Sequence, residues 1–315
     1  MTLRLGTRGS ALAMAQSGLV ANAITAATGE PVTLVEIVTD GDRSTAPVLR
    51  LGVGVFVSAL RDALAAKEID IAVHSYKDLP TAPVDGLIIA AVPPREDPRD
   101  ALVSRTHASL DELPAGSRIG TGALRRIAQL RALRRGWECQ PMRGNVDTRL
   151  GKVAAGELDA VVLAAAGLHR LGRAAEITQL LPPELMLPAP AQGALAVECR
   201  SGDHSLVDAL KSVDDEHTRA AVLAERTLLA TLEAGCSAPV AALATVEHGP
   251  NLPVGAPARP GQSRIELWAA VFAPDGQHAI RRGGTAALSD AVGLGSRVAA
   301  QLLSDGADSL LGENG

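Results

Sequence analysis

The stretch "LRLGTRGSALAMAQSGLVANAITAATGEPVTLVEIV", residues 3–38, decides the fold class. A short apolar run at 3–7 is followed by an alanine- and leucine-rich segment from about Ser10 to Thr28, and a second apolar run follows at 32–38. Short apolar runs bounded by turn residues read as buried strands, and the long segment between them has the length of a helix. Ser10 stands where a helix N-cap is expected. A helix near 55–67 and the run "IDIAVHS" at 69–75 extend the pattern to βαβαβ. Strands joined by helical crossovers imply a parallel sheet covered by helices, so the expected class is α/β.

The pattern restarts after "PPREDPRD" (93–100). "SRIGT" (117–121) reads as a strand, "ALRRIAQLRALRRG" as a helix closed by Gly136, "ECQPM" as a strand, "NVDTRLGKVAAG" as a helix and "LDAVVLA" (158–164) as a strand. Two similar α/β units suggest a hinged pair of domains with a cleft between them. "ALAVEC" (194–199) reads as a strand that returns the chain to the first unit. Beyond about 240, candidate strands at 239–246, 264–272 and 277–283 and a helix near 288–304 suggest a small α+β domain. The expected division is 1–94 plus about 194–214, then about 95–193 plus about 215–234, then about 235–315.

Composition excludes several classes. The chain of 315 residues is 47% hydrophobic and only 2% aromatic, which fits a globular protein with an aliphatic core. No apolar run reaches membrane-spanning length. The start "MTLRLGTRGSALAMAQ" lacks the features of a signal peptide, so cytoplasm is the expected location. Cys139, Cys199 and Cys236 lie far apart, so neither a disulfide framework nor a zinc knuckle is indicated. Net charge is −5, yet residues 118–173 carry ten Arg and one Lys against four carboxylates, an island of +7 in a remainder of −12. Such an island suggests anionic ligands. A solvated arginine-rich helix face is the competing account of "RRIAQLRALRR". Single-strand nucleic-acid binding needs stacking aromatics that this chain lacks.

Ligands of open α/β sheets bind beyond the carboxyl ends of the strands. "GTRGS" (6–10) places Arg8 and Ser10 there, and "GTGALRR" (120–126) places Arg125 and Arg126 in the first turn of a helix. Free N–H groups and the dipole make helix starts suited to carboxylate or phosphate. "HSYKDLP" (74–80) offers His74, Ser75, Lys77 and Asp78, either as a surface turn with a local Lys–Asp pair or as a cleft carboxylate kept ionised by cations. "MRGNVDTRL" adds Arg143 and Arg149, and "GLHRLG" adds Arg170. Repeated arginines at turns suit a polycarboxylate. In "LEAGCSAPV" (232–240) Cys236 follows a helix and sits on a turn, where a thiol is reachable as a nucleophile.

Taken in order, "TRGSALA", "DIAVHSYKDLPT", "REDPRDALVS", "LPAGSRIGT", "LRR", "RGNVDTRL", "LAAAGLHRLG", "PAQGALAVECR" and "LEAGCSAPV" resemble the porphobilinogen deaminase (hydroxymethylbilane synthase) family along nearly the whole chain. The resemblance implies two periplasmic-binding-protein-like (type II) domains with a cleft between them and a small α+β C-terminal domain. It implies a dipyrromethane primer bound as a thioether to Cys236, to which four porphobilinogens are added with loss of ammonia before water releases hydroxymethylbilane. Asp78 takes the position of the catalytic aspartate. Ser75, Lys77, Arg125 and Arg126 take positions that hold the cofactor, and Arg8, Ser10, Arg143, Arg149, Arg170 and Gln192 positions that meet substrate. No metal, nucleic acid or membrane partner is implied, and the chain is expected to act as a monomer. Departures are Val53 in "LGVGVF", where lysine is common, and Gly122–Ala123, where two serines are common. A non-enzymatic anion-binding protein of periplasmic type is the alternative. It gives Cys236 no task.

Overall fold

The computed structural model describes residues 2–37, 55–235, 238–247 and 263–311. In chain order these form β1 (Leu3–Thr7), α1 (Ala11–Thr28), β2 (Val32–Glu36), α2 (Val55–Ala65), β3 (Ile71–Ser75), β4 (Leu87–Ala91) and β5 (Asp100–Ser104). Next come β6 (Arg118–Gly120), α3 (Leu124–Ala132), β7 (Glu138–Gln140), α4 (Val146–Ala154), β8 (Ala160–Ala164), α5 (Ala165–Arg170) and β9 (Gln179–Leu181). The remainder is β10 (Leu195–Arg200), α6 (His204–Leu210), α7 (Glu216–Thr231), β11 (Val240–Glu247), β12 (Arg264–Phe272), β13 (Ala279–Ala287), α8 (Ala291–Ser304) and α9 (Ala307–Leu311). Two compact units result, Met1–Glu96 with Ala194–Arg219, and Asp97–Gly193 with Ala220–Gly315.

The first unit holds one five-stranded sheet in the order β2-β1-β3-β10-β4. The second holds a sheet of the same pattern, β7-β6-β8-β5-β9, and a separate antiparallel sheet β11-β12-β13. The all-parallel expectation is corrected: β10 runs antiparallel to β3 and β4, and β5 antiparallel to β8 and β9. Helical crossovers enforce parallel pairing only where they join the strands, as for β1, β2 and β3. β5 and β10 are instead the strands entered directly from the crossings at 96/97 and 193/194, with no helix to set their direction. The return of 194–199 to the first sheet is as the sequence predicts.

In the first unit Leu5, Ile24, Ile71 and Val197 lie in one core. Each such side chain contributes roughly 1.5–3 kcal/mol by leaving water. Ser10 caps α1 by accepting from Ala13 N at 3.3 Å. In the second unit the apolar face of α7, from Ala220 to Leu229, and Leu232 just after it pack into the core of the three-stranded sheet with Leu267, Leu294 and Val298. Residues 220–234 therefore pack with the C-terminal layer. Gly276 in the β12–β13 turn approaches α3 so closely that a Cβ would lie 2.5 Å from Ala128 O.

Candidate active site

In the first unit β1 and β3 are neighbours, with Gly6 opposite Ala72, and they run parallel. Their carboxyl ends share one edge of the sheet. Arg8 and Ser10 follow β1 there, and Ser75, Lys77 and Asp78 close or follow β3. Ser75 Oγ lies 3.0 Å from the Gln16 Nε2 donor, which ties the strand end to α1. The next three residues, Tyr76–Asp78, form a 3-10 turn. Tyr76 N donates to Ala194 O at 3.0 Å and Leu79 N to Tyr76 O at 3.3 Å. Tyr76 and Leu79 are buried while Asp78 is exposed. Two buried anchors thus present one exposed carboxylate on a fixed platform.

On the strand beside β3, Glu198 of β10 is buried and accepts a forked pair of bonds from Arg61 of α2, with Nη2 to Oε1 at 2.8 Å and Nε to Oε2 at 3.1 Å. His74 Nε2 lies 3.0 Å from Glu198 Oε2. Burial opposes ionisation of Glu198; the His74 and Arg61 contacts overcome it and hold the carboxyl below its ordinary range.

In the second unit β7, β6 and β8 are adjacent and parallel. The segments after them share an edge, which gathers Arg143 after β7, Arg125 and Arg126 after β6, and Arg170 at the end of the helix after β8. Arg143 is exposed. Arg149 Nε donates to Gly144 O at 2.9 Å, and Arg170 Nη2 to Gly193 O at 2.6 Å. Asn145 caps α4 by accepting from Thr148 N at 2.8 Å.

Arg125 and Arg126 stand differently from the expectation of open, ligand-facing donors. The inward face of α3 carries both of them with Ala128, Gln129 and Leu130, while Leu124 points outward. Arg126 Nη2 donates to Asp100 Oδ1 at 2.7 Å, and Arg125 Nη1 lies 2.8 Å from Asp100 Oδ2. Asp100 is 0% exposed. Burial alone would raise its pKa, but the Arg125 and Arg126 charges hold it far below the carboxylate range. Burial lowers the pKa of Arg125. Gln192, also buried, donates from Nε2 to Asp100 Oδ1 at 2.9 Å and to Pro98 O at 2.8 Å. Asp100, Gln129 and Glu198 escaped the sequence reading. The available signal was an acidic residue opening or interrupting a buried apolar run, "DALVS" and "ALAVEC", since a buried charge must be paired.

Cys236 and Val53 lie outside the described residues. Among the described thiols, Cys199 is fully buried, and burial foremost pushes its pKa up to about 11. Burial also raises that of Cys139. Neither offers an activated thiolate. Among the described residues no cluster could hold a metal ion, and no helix is long and apolar enough to cross a membrane.

Residues 3–208 match the family model "Porphobilinogen deaminase, dipyromethane cofactor binding domain", and residues 219–304 match "Porphobilinogen deaminase, C-terminal domain". A porphobilinogen deaminase of Nocardia farcinica is 56% identical over 99% of this chain and 88% of its own length. One of Mycobacterium tuberculosis is 54% identical over 98% of both. The chain belongs to the porphobilinogen deaminase family. Among solved structures, a periplasmic substrate-binding protein of an ABC transporter from Coxiella burnetii is similar with a TM-score of 0.43 and 11% identity, covering 67% of this chain and 91% of that one.

The cofactor of the family, a dipyrromethane, carries acetate and propionate on each ring. The donor chemistry fits it: Arg8 follows a strand end in the first sheet, Arg125, Arg126, Arg143 and Arg170 follow strand ends in the second unit, and the Asp78 carboxylate stands exposed. Gly122 is close-packed, because a Cβ there would lie 2.6 Å from Met142 O. The glycine in place of the family's common serine is therefore matched by the local backbone.

Proposed function

We propose that the chain is a hydroxymethylbilane synthase, a cytoplasmic monomer that joins four porphobilinogens head-to-tail and releases the linear tetrapyrrole. The observation that carries the reading is the colinear match to the dipyrromethane-binding model over residues 3–208, with Asp78 at its anchored, exposed turn. The chain is taken as three domains, 1–94 with about 194–214, about 95–193 with about 215–234, and about 235–315, with the apolar face of α7 packed on the last.

When bound through Cys236, the dipyrromethane supplies a free pyrrole α-carbon on which the chain grows. Porphobilinogen loses its aminomethyl nitrogen as ammonia and becomes a cationic methylene-pyrrole. The primer's α-carbon would supply the nucleophile for the carbon–carbon bond, and its α-proton would leave as the ring is restored. Asp78 accepts a hydrogen bond from the pyrrole N–H that shares the positive charge, which stabilises the cation where it develops. Ser75, Lys77, Arg125 and Arg126 serve the primer. Arg8, Arg143, Arg149 and Arg170 serve the carboxylates of substrate and growing chain, since guanidinium forks match carboxylates in geometry, while Ser10 serves that site as the cap of α1 and Gln192 through its bond to Asp100.

Intact mass spectrometry tests the reading. The purified protein is expected to exceed its sequence mass by a two-pyrrole adduct, and Cys236→Ala to lack the adduct and activity while remaining folded. An unmodified wild-type chain would return the reading to a non-enzymatic anion binder. Sedimentation velocity checks the monomer.

A further inference from the structure

The arginine pair of α3 is one negative charge short. Two guanidiniums, 3% and 5% exposed, face a single carboxylate, Asp100. Its two oxygens are divided between them: Oδ1 receives Arg126 Nε at 3.0 Å and Nη2 at 2.7 Å, and Oδ2 faces Arg125 Nη1 at 2.8 Å. Neutral acceptors complete the set: Arg126 Nη1 donates to Val162 O at 3.0 Å and its Nη2 reaches Gln192 Oε1 at 3.5 Å, and Arg125 Nη1 also donates to Leu187 O at 2.6 Å. Gln129, one turn along α3, fixes the same Leu187 from both sides, donating to its O at 3.0 Å and accepting from its N at 2.9 Å. Each guanidinium is therefore held in one orientation by neutral acceptors and by Asp100. Low dielectric makes the residual positive charge costly unless an anion meets it.

Asp100 is also the point where this pair meets the two connections between the units. Gln192 bonds both Asp100 Oδ1 and Pro98 O, so its amide joins the outgoing segment, which leaves the first unit at 96/97, to the returning segment, which re-enters it at 193/194. Ala191, directly before it, has φ of +61°, a conformation that a residue with a Cβ holds only under outside constraint. Here that constraint is visible: Glu225 Oε2 accepts the Ala191 N–H at 2.5 Å.

We propose that Asp100 is the positioning residue of the arginine pair. It orients Arg125 and Arg126 and leaves them with the charge to take one carboxylate of the primer at the edge of α3, while Gln192 couples that geometry to the two connecting segments. This rests on the reading that the chain carries a dipyrromethane. It adds a group that does not touch the primer.

The test compares wild type with Asp100→Asn and Asp100→Glu. Adduct occupancy is read by intact mass, folding by circular dichroism, and hydrogen exchange is followed over 97–100 and 188–194. Asp100→Asn retains an acceptor but raises the pair to two uncompensated charges. If charge alone governed primer uptake, occupancy would hold or rise. Positioning instead requires that folded Asp100→Asn take up primer about tenfold or more slowly, the scale for removing a support behind a ligand-holding side chain, with faster exchange in both segments. Asp100→Glu, with the charge kept and the carboxylate displaced by one methylene, is expected to be intermediate, and it carries the test if the Asn variant does not fold. Wild-type uptake in folded Asp100→Asn, or in Asp100→Glu where only that variant folds, overturns the proposal. A wild-type protein without adduct overturns the underlying reading instead.

Discussion

Replacing Glu198 by alanine tests whether the platform under Asp78 is held by its buried ion cluster. In the native protein the Glu198 side chain is 3% exposed, and Arg61, its forked partner, is 15% exposed. His74, at 5%, loses its contact in the same substitution. Removing one partner of a buried pair strands the other, at a cost of about 3–5 kcal/mol. Arg61 is already partly exposed and can turn toward water, so about 3 kcal/mol is the better expectation. For a unit of this size that corresponds to a fall in melting temperature of roughly 10–15 °C. Thermal and urea unfolding followed by circular dichroism measure it, with Arg61→Ala and the double variant completing a cycle. Hydrogen exchange should rise first in β3 and β10, the strands that His74 and Glu198 join. A loss below about 0.5 kcal/mol, the range of ordinary surface changes, would refute the reasoning, as would additivity in the cycle.

Asp78→Asn keeps the shape of the exposed turn and removes its charge, so turnover should fall about 10²-fold or more with little change in the Michaelis constant; near-native turnover in ammonia-release assays would leave Asp78 a turn former only. Gly122→Ser, which restores a common family residue, should destabilise by about 1–3 kcal/mol because its Cβ would meet Met142 O at 2.6 Å, and an unchanged melting temperature would contradict that packing. Acid should unfold the protein through Asp70, Asp97, Asp100 and Glu198. At each, burial opposes ionisation and the bonded arginine partners, with His74 at Glu198, depress the pKa. Because unfolded carboxylates titrate near pH 4, these contributions are complete above that pH and are lost as pH falls through the folded values. Melting temperature should be level from about pH 5 to 7 and drop below about 4, with a shallower acid limb in Glu198→Gln; an equal slope in that variant would remove Glu198 from the account.

Most of the framework was legible because it depends on local pattern. The strands at 3–7 and 264–272 and the Ser10 cap follow from apolar runs and a capping hydroxyl, which the chain encodes within a few residues. The return of β10 to the first sheet was legible too. Strand direction was not: β5 and β10 look like the other apolar strands, and only the path through the crossings makes them antiparallel. The site divided in the same way. Arg143 on an exposed turn and Asp78 between two apolar anchors can be placed from their neighbours. The inward turn of Arg125 and Arg126 cannot, because it depends on Asp100, 25 and 26 residues earlier, and on Leu187, about sixty residues later.

That long-range pairing also changes what the basic island can do. Along the chain, residues 118–173 carry +7. In space Arg118 pairs with Asp159, Lys152 with Glu157 and Arg173 with Asp147, all within the island. Carboxylates from outside it complete further pairs: Asp111 with Arg135, Glu176 with Arg173, and Asp100 with both arginines of α3. The exposed pairs are worth little energetically, yet each shortens the reach of the field a ligand would feel. A count along the sequence therefore overstates the attraction for a polyanion. What the fold provides instead is a small number of fixed guanidiniums whose orientation is set from behind, and the buried Asp100 cluster is the one where charge, geometry and the two connecting segments meet in a single carboxylate. Asp100 holds both guanidiniums in fixed directions, which a solvated arginine face could not achieve.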